Sequence, residues 1–69
     1  MDKSVYKVIE LVGTSEISWE DAAKNAVSEA RKSHSDMRVA TVVELDMTIE
    51  GETVSTYRAK VNLSFKYHV

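Results

Sequence analysis

Arg58, Lys60 and Lys66 stand two and then six residues apart in a run that alternates apolar and polar residues from Tyr57 to Tyr67. Successive side chains of an extended strand point to opposite faces, so the three cations share one face. Such a row could attract an anionic nucleotide. Solvation or cross-strand pairing satisfies the same charges, and Glu44 and Asp46, alternate residues of another extended run, supply the acids. Gly13-Thr14-Ser15 lies before a helix start, where a phosphate cradle would lie, but the further glycines and following lysine of a phosphate loop are absent. The segment reads better as a turn ending a strand. Trp19 could stack on a ligand; at the first turn of a helix, on its alanine face, it is expected to anchor a core or an interface. His34 and His68 are far apart and no cysteine accompanies them, so no metal-ligand spacing links them and both are expected to face solvent. Without a cysteine, and without a nucleophile and base in sequence proximity, the chain is read as a non-enzyme.

The elements that carry these residues are readable from periodicity. Val5 to Val12 is rich in β-branched and aromatic residues and is ended by Gly13, which predicts a first strand with apolar side chains on both faces. Ser18 with Asp21 three residues later marks a helix start, because the serine oxygen can accept a backbone N–H of the first turn. Trp19, Ala22, Ala23, Ala26, Val27 and Ala30 then recur at helical spacing, predicting about four amphipathic turns with Arg31 and Lys32 near the end. Met37 to Ile49 resumes strand character, with Met37, Val39, Val43, Leu45, Met47 and Ile49 on one face, and Glu50-Gly51-Glu52 is the turn into the third strand. A three-residue loop sets Leu45 opposite Tyr57, Val43 opposite Ala59, Val39 opposite Leu63 and Glu44 opposite Arg58. A five-residue loop instead sets Asp46 opposite Arg58 and Glu44 opposite Lys60. Either way acid meets base.

A right-handed crossover followed by a hairpin gives an α+β, βαββ fold: a three-stranded antiparallel sheet, order one-three-two, packed on one helix. Strand one on the far edge is the remaining alternative. The second sheet face has no covering element, although strands one and two carry apolar residues there. At 69 residues the chain is read as one domain, 1–69. So short a chain buries only roughly 60% of its unfolded surface, and without cysteine the disulfide and zinc-thiolate routes to extra stability are closed. Self-association is the expected remedy. Nine basic against eleven acidic residues, a net charge of −2, supply no positive field for nucleic acid. Charges break every apolar run well short of a membrane span, and Met1-Asp2-Lys3-Ser4 has no apolar signal core, so the expectation is a cytoplasmic protein with neither nucleic acid nor membrane as partner.

Val5-Tyr6-Lys7-Val8-Ile9-Glu10-Leu11-Val12-Gly13-Thr14-Ser15, with an alanine-striped helix and a long hairpin ending Ser64-Phe65-Lys66 after it, resembles the dodecins over nearly the whole chain. The resemblance implies a βαββ subunit of a hollow homododecamer that stores or sequesters flavin (FMN or riboflavin) between subunits without turnover. It also marks the departures. Where the family stacks a tryptophan on the flavin ring this chain has Val39, and where a glutamine contacts the ring edge it has Arg58. Lys66 sits where an arginine is common, and some dodecins hold a nucleotide such as coenzyme A. Ser18-Trp19-Glu20, Arg38-Val39-Ala40, and Glu44 with Asp46 look closer to a calcium-associated subgroup. That likeness implies a calcium site using Glu44 and Asp46, completed by carbonyls, water or a symmetry-related chain, because calcium takes six to eight oxygens. The expectation is a non-enzymatic oligomer that stores or buffers a small ligand, calcium or alternatively flavin; a shell protein without a ligand is the third reading.

Overall fold

The structure, a computed structural model, describes residues 4–67. Its elements in chain order are β1 (Val5–Ser15), α1 (Trp19–Ala30), β2 (Met37–Glu50) and β3 (Thr53–Tyr67). The sheet order is β1-β3-β2 with both pairs antiparallel, which settles where the first strand lies.

Gly13 does not end β1, as expected, but lies inside it, paired with Ala59. The helix crosses directly above. A β-carbon on Gly13 would overlap the Ala22 carbonyl oxygen and stand 3.0 Å from the Ala26 β-carbon, so the missing side chain permits this approach. Ala22, Ala26 and Ala30, one face of α1, are buried against Ala59, Val61 and Leu63 of β3, with Ile9 and Leu11 of β1 alongside. Small side chains on the helix, and none at the crossing point, let two backbones pack with little between them.

The helix start is tied to the end of β1. Ser18 Oγ accepts from Asp21 N at 3.0 Å, the cap its spacing predicts. Buried Ser15 donates its hydroxyl to Asp21 Oδ2 at 2.7 Å and accepts from the Ile17 and Ser18 amides. Asn25 Nδ2 donates to the Thr14 carbonyl at 2.9 Å on the flank. The helix has 12 residues, nearer three turns than four; Arg31 is its C-cap and Lys32 lies beyond it. Lys32 pairs with Glu29 at 3.0 Å in solvent, an arrangement that contributes little.

Strict alternation along β2 fails. Pairing advances unevenly between Met37 and Val39 and between Val42 and Glu44, leaving Arg38 and Val43 as extra residues on β2; a third irregularity comes after Thr48. A bulged residue turns the side chains beyond it to the opposite face. Val39 is therefore opposite Ser64, not Leu63, and Val43 is opposite nothing, where Ala59 was expected; Leu45 takes Ala59. Met37, Ala40, Val42, Leu45 and Met47 face the helix side, paired with Phe65, Leu63, Val61, Ala59 and Tyr57. The acids land as the longer loop predicted, Asp46 opposite Arg58 and Glu44 opposite Lys60, yet the loop itself is short. Glu50 pairs with Thr53, leaving Gly51-Glu52 as the turn, with Gly51 at φ 63°. The irregularity after Thr48, which leaves Ser55 as an extra residue on β3, supplies the offset that a longer loop would have supplied.

The helix covers β1 and β3 and leaves β2 almost bare. Val39, Val42, Val43 and Leu45 are all about half exposed, and the subunit is drawn out to 56 × 20 × 13 Å. An apolar groove of about 500 Å³ runs between α1 and β2, lined by Trp19, Glu20, Ala23, Val42 and Leu45. Apolar surface of this extent calls for a protein partner. Gly13→Ala tests the crossing: the added methyl must push α1 off the sheet, and a loss of about 2 kcal/mol or more in urea unfolding is expected, at the scale of overpacked cores. An unchanged midpoint would show that the crossing tolerates a side chain.

Candidate functional site

The sheet face away from the helix gathers most of the residues with chemistry. On β3 it carries Arg58, Lys60, Asn62, Ser64 and Lys66; their partners there include Asp46, Glu44 and Val39 from β2 and Thr14, Glu10 and Tyr6 from β1. Glu44 and Asp46, alternate residues of β2 on either side of Leu45, reach this face together. Arg58 grips Asp46 with two bonds, Nε to Oδ1 at 2.7 Å and Nη2 to Oδ2 at 3.1 Å. Lys60 Nζ stands 3.3 Å from Glu44 Oε1. The two-pronged Arg58 bond holds the Asp46 carboxyl below its ordinary value, with the Arg58 and Lys60 charges acting the same way, and Asp46 in return raises Arg58. Both pairs are open to solvent, so they orient side chains more than they stabilise the fold.

Trp19 belongs to this site from the other side of the sheet. Its Nε1 donates to the Asp46 carbonyl at 3.0 Å, and its ring meets Tyr57 edge-on, centroids 5.2 Å apart at 72°. Spacing could place Trp19 on the alanine face; the bond to a residue 27 positions away has no signal in the sequence.

The expected basic row divides. Arg58 and Lys60 are held by acids, while Lys66 lies eight residues from Arg58, about 26 Å along an extended strand. It pairs with Tyr6, and its amide donates to the Asp36 carbonyl at 3.2 Å. Val39, whose carbonyl accepts from Ser64 Oγ at 3.4 Å, is about 20 Å from Arg58 by strand spacing. Val39, Arg58 and Lys66 therefore do not converge within one subunit. Asp36 adopts the left-handed backbone, φ 62°, and accepts from Arg38 Nε at 2.8 Å, an unforeseen clasp beside the first bulge that raises the Arg38 guanidinium. His34 is not solvent-facing as expected: it is partly buried, its ring 5.0 Å from Phe65. His68 lies outside the described residues. Gly13-Thr14-Ser15 is strand, and its serine hydroxyl is spent on Asp21, Ile17 and Ser18.

Among the described residues no group of three or more His, Cys, Asp or Glu could hold a metal ion. Glu44 and Asp46 offer carboxylate oxygens, the donor type a hard cation takes, but they are two ligands where calcium needs six to eight oxygens. The donor set fits one contribution to a shared site.

A family model for dodecin matches residues 5–68. The chain belongs to the dodecin family. It is 54% identical over 63 residues to the calcium dodecin of Mycobacterium tuberculosis, covering 91% of this chain and 89% of that one. A crystal structure of that calcium-chelating protein, described as having a novel calcium-binding site, superposes with a TM-score of 0.83 at 52% identity, covering 94% and 93%. Dodecin from Streptomyces coelicolor gives a TM-score of 0.93 at 28% identity, covering 100% and 99%. A Thermus thermophilus dodecin variant gives 0.89 at 34%, covering 97% and 100%.

Dodecins are ligand-binding storage proteins built from this βαββ subunit as homododecamers. The half-exposed apolar residues of β2 and the groove beneath it are uncovered in the single subunit. No helix among the described residues is long and apolar enough to cross a membrane.

The Asp46–Arg58 bond makes a directional prediction. A depressed folded-state pKa contributes stability that is present above the unfolded carboxylate value and lost as pH falls through the lower folded value. In Arg58→Gln, the Asp46 midpoint tracked by carboxyl carbon NMR is expected to rise toward the ordinary carboxylate range. A midpoint that stays put would assign the depression to something other than Arg58.

Proposed function

We propose that this chain forms a non-enzymatic homododecamer that stores, sequesters or buffers calcium between its subunits, with Glu44 and Asp46 among the ligands. The observation that carries the reading is the pairing of Glu44 and Asp46, alternate residues of β2, with Lys60 and Arg58, which sets both carboxylates on one solvent-open face of a strand that is otherwise uncovered. A second copy approaching that strand can add the missing oxygens. Likeness to a calcium dodecin over most of both chains supports the same choice. Residues 1–69 act as one domain, the setting is the cytoplasm, and neither nucleic acid nor membrane is a partner, in keeping with the −2 charge and the absence of a spanning helix among the described residues.

Flavin is the weaker ligand. Val39 has no ring to stack, and the Arg58 guanidinium is committed to Asp46 and carries no acceptor for a ring edge. When calcium is bound, its charge takes over the role that Arg58 and Lys60 play toward the two carboxylates.

Native mass spectrometry with isothermal calorimetry tests the proposal. A colourless dodecamer that takes up calcium is expected, with affinity at least about tenfold weaker in Asp46→Asn and Glu44→Gln, since each removes one carboxylate charge from a site that depends on charge count. Arg58→Gln removes a competing cation and is expected to tighten binding several-fold. No heat at millimolar calcium would end the calcium reading, and a bound yellow chromophore would replace it with flavin.

A further inference from the structure

We infer that Trp19 is the positioning residue of the cation site, acting on Asp46 through its backbone from the helix side of the sheet. The inference rests on the calcium reading above. β2 is an edge strand that α1 does not cover, so the segment bearing Glu44 and Asp46 has β3 on one side and nothing packed over most of its length. Trp19 is the exception. Its indole N–H reaches the Asp46 carbonyl, and its ring leans edge-on against Tyr57, the residue immediately before Arg58. One side chain therefore braces both strands of the Asp46–Arg58 rung, while the two charged groups of that rung meet on the opposite face.

The arrangement has a direct consequence for a cation. A carboxylate on an unsupported edge strand must be immobilised when the ion binds, and that cost subtracts from affinity. Trp19 imposes the restraint beforehand. It does so without competing, because the indole approaches from the helix side and the carboxylate oxygens lie on the other. The helix start itself is rigid, with Ser18 capping Asp21 N and Ser15 clasping Asp21, so the indole is held by a fixed base. It also makes the chain's single tryptophan a reporter, since any shift of the Asp46 backbone alters the bond made by the indole N–H.

Trp19→Phe separates the two roles of the side chain: it keeps an aromatic edge for Tyr57 and loses the N–H. The calorimetric dissociation constant for calcium is expected to rise about three- to tenfold, the scale of the ordering cost that the restraint removes, with dodecamer mass retained. Unchanged affinity in an intact Trp19→Phe dodecamer overturns the positioning role and leaves the calcium reading standing. Absence of calcium heat in the unmodified protein fells the reading itself, and this inference with it. Should the variant fail to assemble, the unmodified dodecamer decides: Trp19 emission is expected to shift during a calcium titration and to stay constant in Asp46→Asn. Constant emission across a titration that releases binding heat overturns the inference.

Discussion

The close crossing of α1 over Gly13 governs the rest of the subunit. A helix faced with alanine, set on a strand with no side chain at the crossing point, packs backbone to backbone, and its short stripe reaches β1 and β3 but not β2. The core is accordingly thin: three alanines of the helix against Ala59, Val61 and Leu63 of the central strand. A larger residue at position 13 would lift the helix and let water beneath it. The hydrogen bonds of Ser15 and Asn25 lock the helix in this position from its start and its flank.

Leaving β2 uncovered has a cost and a use. Its valines, leucine and methionine meet solvent in the isolated subunit, which a chain of 69 residues with no disulfide can ill sustain. Self-association is the route by which a chain with this much exposed apolar surface gains stability. The proposed calcium site on β2 is for the same reason a shared one, since Glu44 and Asp46 offer two carboxylates where the ion takes six to eight oxygens.

The charges on the outer face show a similar economy. Arg58 and Lys60 pair with Asp46 and Glu44 in the open, where such contacts orient side chains and contribute little to stability. Trp19 adds a restraint that does not involve charge, through the Asp46 carbonyl.

Much was legible from residues alone. The element order, the Ser18 cap, the antiparallel hairpin and the opposition of acids to bases came from periodicity, capping chemistry and charge, which are local or nearly local properties. The dodecin resemblance rested on the run through Gly13-Thr14-Ser15, although the reason for that glycine, a helix passing overhead, is a tertiary fact. What the sequence could not disclose is where β2 breaks its alternation. Bulges at Arg38 and Val43 carry no residue signature, because they arise from fitting one long strand to the twist and register of another. They alone decide that Val39 leaves the helix side and that Ala40 and Val42 join it. The Trp19 bond to Asp46 was hidden for the same reason: it joins two elements whose distance is set by packing.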